Sequence, residues 1–222
     1  LDTPYASKQG RMARRDTVEH KKTVDRRHMR SAATRQKILQ AAREVFIREG
    51  FHHTTVTQII KKAGVGYGTA YVYFKGKDDI LITLMEDVMG QFYQIAELPF
   101  FPTSKEEAQQ MIQRQAYSFL KMAEAERDML QVFEQAIGVS QAVSAKWAEI
   151  RERFVQRISQ DISYSQRKGL ARTELNPELV ARGWFFTNEM YLWDIVRGHH
   201  RKCSIEEIAR TITAVYTEGL YR

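Results

Sequence analysis

Cysteine is almost missing from this chain of 222 residues: Cys203 stands alone, so no intrachain disulfide can form and the fold must hold by packing. A single thiol fits a reducing compartment. Proline is scarce too, with four in all, and Val/Ile alternation is rare, which excludes an all-β chain and leaves helices. No stretch approaches the roughly 18 consecutive apolar residues of a membrane helix, and the N-terminal residues lack a signal peptide's apolar segment, so no membrane partner and a cytoplasmic location are expected. A hydrophobic content of 43% is enough for a core.

Positive charge is in excess, and it is unevenly placed. Residues 1–33 hold nine Lys/Arg against four Asp/Glu, and residues 34–78 hold eight against three, whereas residues 79–222 hold 17 against 20. The basic balance therefore sits in the first third, where it suits a polyanion. Charge alone does not name that polyanion. Residues 1–33 combine high charge with little apolar periodicity, which reads as a basic, flexible N-terminal arm, either a solubilising leader or a segment for the DNA minor groove.

After Arg30 the pattern becomes helical. Ile38, Leu39, Ala42, Val45 and Phe46 recur at three- and four-residue spacings, and Gly50 supplies a stop. Thr55 and Gln58 have the spacing of a capping box for a short helix whose Val56, Ile59, Ile60 and Ala63 share a face and which Gly64 ends. The run "AGVGYGTAYVYFKGKDD", residues 63–79, then packs four glycines and three tyrosines into a short stretch that ends in lysines and aspartates. A short helix, a glycine turn and another short helix make a helix-turn-helix. Val65 is expected to plug the angle between the helices, and Ala70 and Phe74 to face the core, leaving Tyr67, Thr69, Tyr71 and Val72 outward. Packing on the first helix explains part of Tyr73 but not all three rings.

Residues 34–81 resemble the N-terminal domain of the TetR family of bacterial repressors. The features in order are Phe-x-x-x-Gly-Phe closing the first helix, Thr-Val-x-x-Ile, Ala-Gly-Val, Gly-Thr-x-Tyr-x-Tyr-Phe and Lys-x-Lys-Asp-Asp. The resemblance covers about a fifth of the chain. It implies an all-α protein: a three-helix DNA-binding domain with a helix-turn-helix over residues 34–80, then a larger helical effector-binding and dimerisation domain over 81–222. It implies DNA contacts from Thr55, Thr57, Tyr67, Gly68, Thr69, Tyr71, Val72, Tyr73 and Lys77. Tyr67, Thr69 and Tyr71 would meet base edges, Val72 a thymine methyl, and Thr57, Tyr73 and Lys77 phosphates. Gly66 and Gly68 would let the backbone approach the duplex. Many relatives carry Ser or Thr at the position of Gly66.

Beyond residue 80 the pattern predicts a connecting helix through Phe92, a helix opened by Thr103/Glu106 or Ser104/Glu107, one around 127–136 and a long one over about 141–168. Asn176 and Pro177 start a helix that is apolar on nearly every side, and Ser204 with Glu207 caps the last one. By the resemblance, the last two helices pair with their mates across a two-fold axis. Phe185, Leu192, Ile208, Ile212 and Tyr216 are the expected interface, in a homodimer that sets two recognition helices on successive major grooves.

The resemblance also implies a small-molecule effector in the C-terminal body. Met111, Tyr117, Phe133, Trp147, Phe154, Trp184 and Met190 are candidates to line its pocket, although aromatics at helical spacing also build plain core. Glu134, Glu189, Asn188 and Asp194 lie close by in sequence; if buried they need partners, which a cationic or hydrogen-bonding ligand could supply, whereas a long acyl ligand would not. No cofactor is expected. His199, His200, Cys203 and Glu206 are poorly spaced for a metal, and no catalytic motif is present, so the chain is not read as an enzyme. The expected function is a repressor that binds a pseudo-palindromic operator and is released by its effector. The alternative is a small-molecule or protein-partner module without sequence-specific DNA recognition.

Overall fold

The computed structural model describes residues 7–200 and 202–221, with side chains from Met29 onward. Among the described residues the fold is helical throughout: α1 (Ser7–His53), α2 (Val56–Ala63), α3 (Tyr67–Tyr73), α4 (Lys77–Ala96), α5 (Lys105–Ala125), α6 (Arg127–Ile137), α7 (Gln141–Arg167), α8 (Pro177–Arg197) and α9 (Ile205–Leu220). An isolated antiparallel bridge joins Ala171 to Tyr221.

The first helix corrects the expected arm. Residues 1–6 of that arm lie outside the described residues, but from Ser7 the backbone is helical and runs on into the segment expected after Arg30. No proline or glycine interrupts the chain between Arg11 and Glu49, and Lys, Arg, Ala, Gln and Met are strong helix formers. Backbone propensity therefore carries the helix across a stretch that has little apolar periodicity.

Gly50 ends the regular part of α1, with φ 74° and ψ 171° in a region reserved for glycine. It also lets a neighbour in: a Cβ at this position would stand 2.9 Å from Gln135 Oε1. That same oxygen accepts the backbone N–H of Phe51 at 2.9 Å, so the turn is stitched to α6. Gly50→Ala is expected to cost about 1–3 kcal/mol through strain and the lost approach. Urea denaturation of the two proteins measures it as a lower midpoint at unchanged slope.

The remaining helix starts follow their local signals. Thr55 Oγ1 accepts the Gln58 N–H at 3.3 Å while Gln58 Oε1 accepts the Thr55 N–H at 2.7 Å, closing the capping box. Gly64 takes the left-handed conformation, φ 61°, that ends α2. For α5 the cap is Ser104, whose hydroxyl accepts the Glu107 N–H, and Glu107 reaches back to Thr103. Asn176 caps α8 ahead of Pro177, and Ser204 caps α9.

Helices α1 to α3 bury Ile38, Val45, Phe46, Ile59, Ile60, Ala70 and Phe74 together. Helix α4 begins in this small unit with Ile80 and Leu81 and ends in the larger body, where Phe92 and Tyr93 enter an aromatic cluster. Its 20 residues span about 30 Å as a single rod. The body packs α7 against α8 and α5 against α9, and α6 closes the gap to α1. Polar ties cross the same gap: Arg43 pairs with Glu126 at 2.6 Å, and Ser140 Oγ donates to Asp78 at 2.7 Å.

Candidate functional site

The short helix α3 buries one side and presents the other. Ala70 and Phe74 are packed into the small core, and Val65 is partly buried against it at the bend. Tyr67, Gly68, Thr69, Tyr71 and Val72 face outward, with Tyr71 54% and Val72 78% exposed. A β-branched apolar side chain and a phenol so far out of the core gain nothing from the fold itself. No heavy atom lies within 4 Å of a Cβ built on Gly68, so this face is open to a broad, shaped partner.

The hydroxyls of the motif are partly engaged already. Tyr67 Oη donates to Thr57 Oγ1 at 2.9 Å, tying α3 to α2, and Tyr73 Oη shares a hydrogen with Ser31 Oγ at 3.0 Å. Among the described residues the Tyr71 hydroxyl has no partner. Thr55 is exposed at the start of α2, and its hydroxyl is committed to the capping box.

Lys77 is engaged inside the domain. Expected to reach a phosphate, its ammonium instead donates to the Phe51 carbonyl at 2.9 Å and lies 4.4 Å from the centre of the Phe51 ring. The carbonyls freed where α1 ends, and the electron-rich ring beside them, draw the cation inward. Lys61 and Lys75 are exposed and form no ion pair among the described residues, whereas Lys62 is paired with Glu44 at 2.7 Å. The cap at Gly66 has φ −74°, which any residue adopts, and makes no side-chain bond, so the missing Ser or Thr costs α3 only its cap.

Within the body a cavity of about 60 Å³ opens between α4, α5, α7 and α8. Its wall includes Ile95 and Ala96 from the end of α4, with Phe119, Phe154, Trp184 and Phe185. Of the seven expected pocket residues it takes two, Phe154 and Trp184. Phe133 and Trp147 are buried in core, Met190 is exposed, Met111 packs against the core, and Tyr117 lines a separate surface groove with Arg114 and Glu206. Helical spacing told that these residues share faces but not which space each face meets.

The polar residues near the cavity sort themselves by partner. Glu189 is buried, yet its Oε1 accepts from Trp147 Nε1 and from Arg151 Nε, both at 2.8 Å. Glu134 pairs with Arg197 at the surface. Asp194 is half-buried outside the cavity, its backbone carbonyl accepting the His199 N–H at 2.8 Å. Asp161, which the sequence reading passed over, does line the cavity and pairs with Arg157.

Burial pushes the Asp161 carboxyl up to about 6, and the Arg157 guanidinium only partly offsets it. The folded state therefore holds this proton more tightly than the unfolded chain, whose carboxyl titrates near 3.9. Stability from this group is present below about pH 4 and is lost as pH rises to about 6, a drop of at most about 3 kcal/mol. Asp161→Asn is expected to flatten the stability profile across that window, as read by chemical denaturation at pH 4, 5, 6 and 7.

The last two helices place most of the expected interface residues inside the chain. Phe185, Leu192, Ile208 and Ile212 are buried in the chain's own core, and Tyr216 stacks on Trp184 with ring centroids 4.3 Å apart. Phe185 and Leu192 lie on the inner side of α8, which packs on α7 and α5, and Ile208 and Ile212 are buried on α9, which packs on α5. The outer side of α8 carries Leu179, Phe186 and Met190, at spacings of seven and four, and α9 adds Val215, all exposed.

Among the described residues no group of three or more His, Cys, Asp or Glu is arranged for a metal ion, and no helix is long and apolar enough to cross a membrane.

Residues 38–84 match the family model described as bacterial regulatory proteins, tetR family. Among curated proteins, the Fatty acid metabolism regulator protein of Bacillus subtilis (strain 168) is 49% identical over 61 residues, 28% of this chain and 31% of that protein. The alignment thus spans about a third of that relative's length. Two solved structures share the fold across nearly the whole chain. GusR of Salmonella enterica superposes with a TM-score of 0.70 at 19% identity, covering 84% of this chain and 94% of its own. SmeT, the repressor of the Stenotrophomonas maltophilia multidrug efflux pump SmeDEF, gives 0.67 at 18% identity, covering 86% and 92%. Regulators of the tetR family generally bind DNA as dimers and respond to small-molecule effectors, and they are not enzymes.

Proposed function

Because the chain carries the DNA-binding domain and the overall fold of the TetR family of transcriptional regulators, we propose that it is a homodimeric repressor of a pseudo-palindromic operator, released by a small molecule. The observation that carries this reading is the outward side of α3. Tyr67, Thr69, Tyr71 and Val72 stand exposed there on a helix too short to need them. Tyr71 and Thr69 offer hydrogen bonds to base edges, and Val72 an apolar contact for a thymine methyl. Lys61 and Lys75 supply the phosphate contacts that set position without reading sequence.

Two copies are needed to present two such helices one helical turn apart. Leu179, Phe186 and Met190 on α8 with Val215 on α9 form the surface for that pairing, since their exposure is a liability in a lone chain. Helix α4 couples the two functions. Its C-terminal residues Ile95 and Ala96 line the cavity, and its N-terminal residues Ile80 and Leu81 are buried in the small unit, where α4 packs on α1 and α1 in turn supports α3, so a ligand that widens the cavity shifts the recognition helix.

Selection of bound sequences from random duplex DNA at about 0.15 M salt tests the reading, because that ionic strength suppresses most non-specific phosphate binding. An inverted repeat with half-sites about one turn apart is the expected product. Recovery of no common motif by well-folded protein would favour a binding module without sequence recognition.

A further inference from the structure

One residue on the cavity wall, Asn188, carries a buried polar atom that the fold leaves without a partner among the described residues. Asn188 is 6% exposed, and its Nδ2 donates to the Trp184 carbonyl at 2.9 Å, one turn back along α8. Its Oδ1 is buried and accepts nothing. Exchanging the amide's two ends does not relieve this, because it would set oxygen against the Trp184 carbonyl oxygen and lose the one bond the side chain makes. With Nδ2 held by the helix backbone, the carbonyl oxygen stays unpaired in the wall beside the cavity, where a ligand that parts the wall can reach it. A buried acceptor without a donor is costly, and an entering hydrogen-bond donor recovers that cost.

The charges in and around the cavity argue for a neutral ligand. The Asp161 carboxylate is already matched by Arg157, whose Nη2 also reaches the Leu98 carbonyl at 3.4 Å. Glu189 is likewise matched by Arg151. An arriving cation finds no unpaired carboxylate, and an arriving carboxylate finds no unpaired cation and a second acid nearby. Phe119, Phe154, Trp184 and Phe185 give the cavity flat aromatic walls, with Phe154 and Phe185 stacked at 5.3 Å. At about 60 Å³ the space is smaller than the ~150 Å³ that an engineered apolar cavity needs to take benzene, which restricts the first occupant to one ring and requires the walls to part around it.

We propose that this cavity binds a neutral single-ring aromatic molecule carrying a hydroxyl or N–H group, with the ring among Phe119, Phe154, Trp184 and Phe185 and the donor bonded to Asn188 Oδ1. The inference rests on the effector-responsive reading above and names the chemistry of that effector. It separates this cavity from one built for acyl chains or for organic cations. Gln115, also on the wall, makes no hydrogen bond to another described residue and is available to a second polar atom of the same ligand.

The test uses the full-length protein without DNA and four probes of one size: p-cresol, toluene, benzoate and benzylammonium, titrated by calorimetry or by quenching of tryptophan fluorescence. Apolar walls alone would favour toluene, which water solvates least, so p-cresol binding about tenfold or more tighter than toluene is the signature of the donor contact. Benzoate and benzylammonium are expected to bind more weakly still. Asn188→Leu should cost p-cresol its advantage of about tenfold while leaving toluene unchanged or tighter. Ala116→Leu, which fills the cavity and leaves Asn188 in place, should weaken every probe.

Tighter binding of toluene, benzoate or benzylammonium than of p-cresol would overturn the proposal. So would p-cresol binding indifferent to both substitutions, or no binding by any probe. Each of those results leaves operator binding untouched, whereas a protein that binds p-cresol as expected but shows no DNA motif overturns the repressor reading alone.

Discussion

Phe186→Arg is expected to turn the proposed dimer into a monomer at micromolar concentration. Phe186 is 41% exposed on the outer side of α8, between Leu179 and Met190, so the substitution leaves the chain's own core intact. Burying a phenylalanine is worth about 1.5–3 kcal/mol, and a two-fold axis counts the loss twice, which raises the dimer dissociation constant by about 10²–10⁴-fold. Charge adds to this. The Arg151 guanidinium already lies 5.6 Å from the Phe186 ring, so a new arginine would meet a like charge as well as lose an apolar contact. Sedimentation equilibrium gives the dissociation constant, and far-UV circular dichroism should show unchanged helix content. A variant that remains dimeric would move the interface away from α8. Operator affinity should fall with the dimer, because each monomer then holds one half-site and the linked gain of the second is lost.

The second large effect falls on sequence discrimination. Tyr71→Ala removes an exposed phenol whose hydroxyl has no partner among the described residues, so little stability should be lost. Its loss should relax preference at one or two base positions of each half-site by about 10–100-fold, as expected for a base-edge contact worth about 1–3 kcal/mol. Lys75→Ala is the counterpart. Its exposed ammonium suits a phosphate, so all sequences should weaken together and the slope of log K against log salt should lose about one unit. Lys77→Ala should instead lower stability, because its ammonium holds the Phe51 carbonyl and ring inside the domain. If Tyr71→Ala weakened all duplexes equally, α3 would be a phosphate clamp and not the reading element.

Local signals made the small domain legible. The Thr55/Gln58 capping box, the left-handed Gly64 and the four-residue spacing of Ala70 and Phe74 act over a single turn each, so residue type and order determine them. Helix starts in the body, at Ser104, Asn176 and Ser204, are local in the same sense. What could not be read is which side of a helix meets which neighbour. Helix α8 is apolar all round, so periodicity cannot separate inward Phe185 and Leu192 from outward Phe186 and Met190; packing on α7 and α5 does that. The same holds for the cavity. Asp161 and Asn188 lie 27 residues apart on different helices, and only the packing of α7 on α8 puts both on one wall. Lys77 is a further case, since its motif position implies a phosphate whereas in the folded chain its ammonium is bonded to the carbonyl of Phe51, 26 residues earlier.

Under the proposed function a pair of these chains reads a base sequence. The most direct test is the ratio of dissociation constants for the selected inverted repeat and for a scrambled duplex of equal composition, measured by fluorescence anisotropy at about 0.15 M salt. A ratio of about 10³ or more, with two chains bound per repeat, is expected of base-specific recognition by the paired α3 helices. A ratio near one, vanishing with added salt, would mean that the basic first third merely attracts polyanions and that the exposed tyrosines serve another partner.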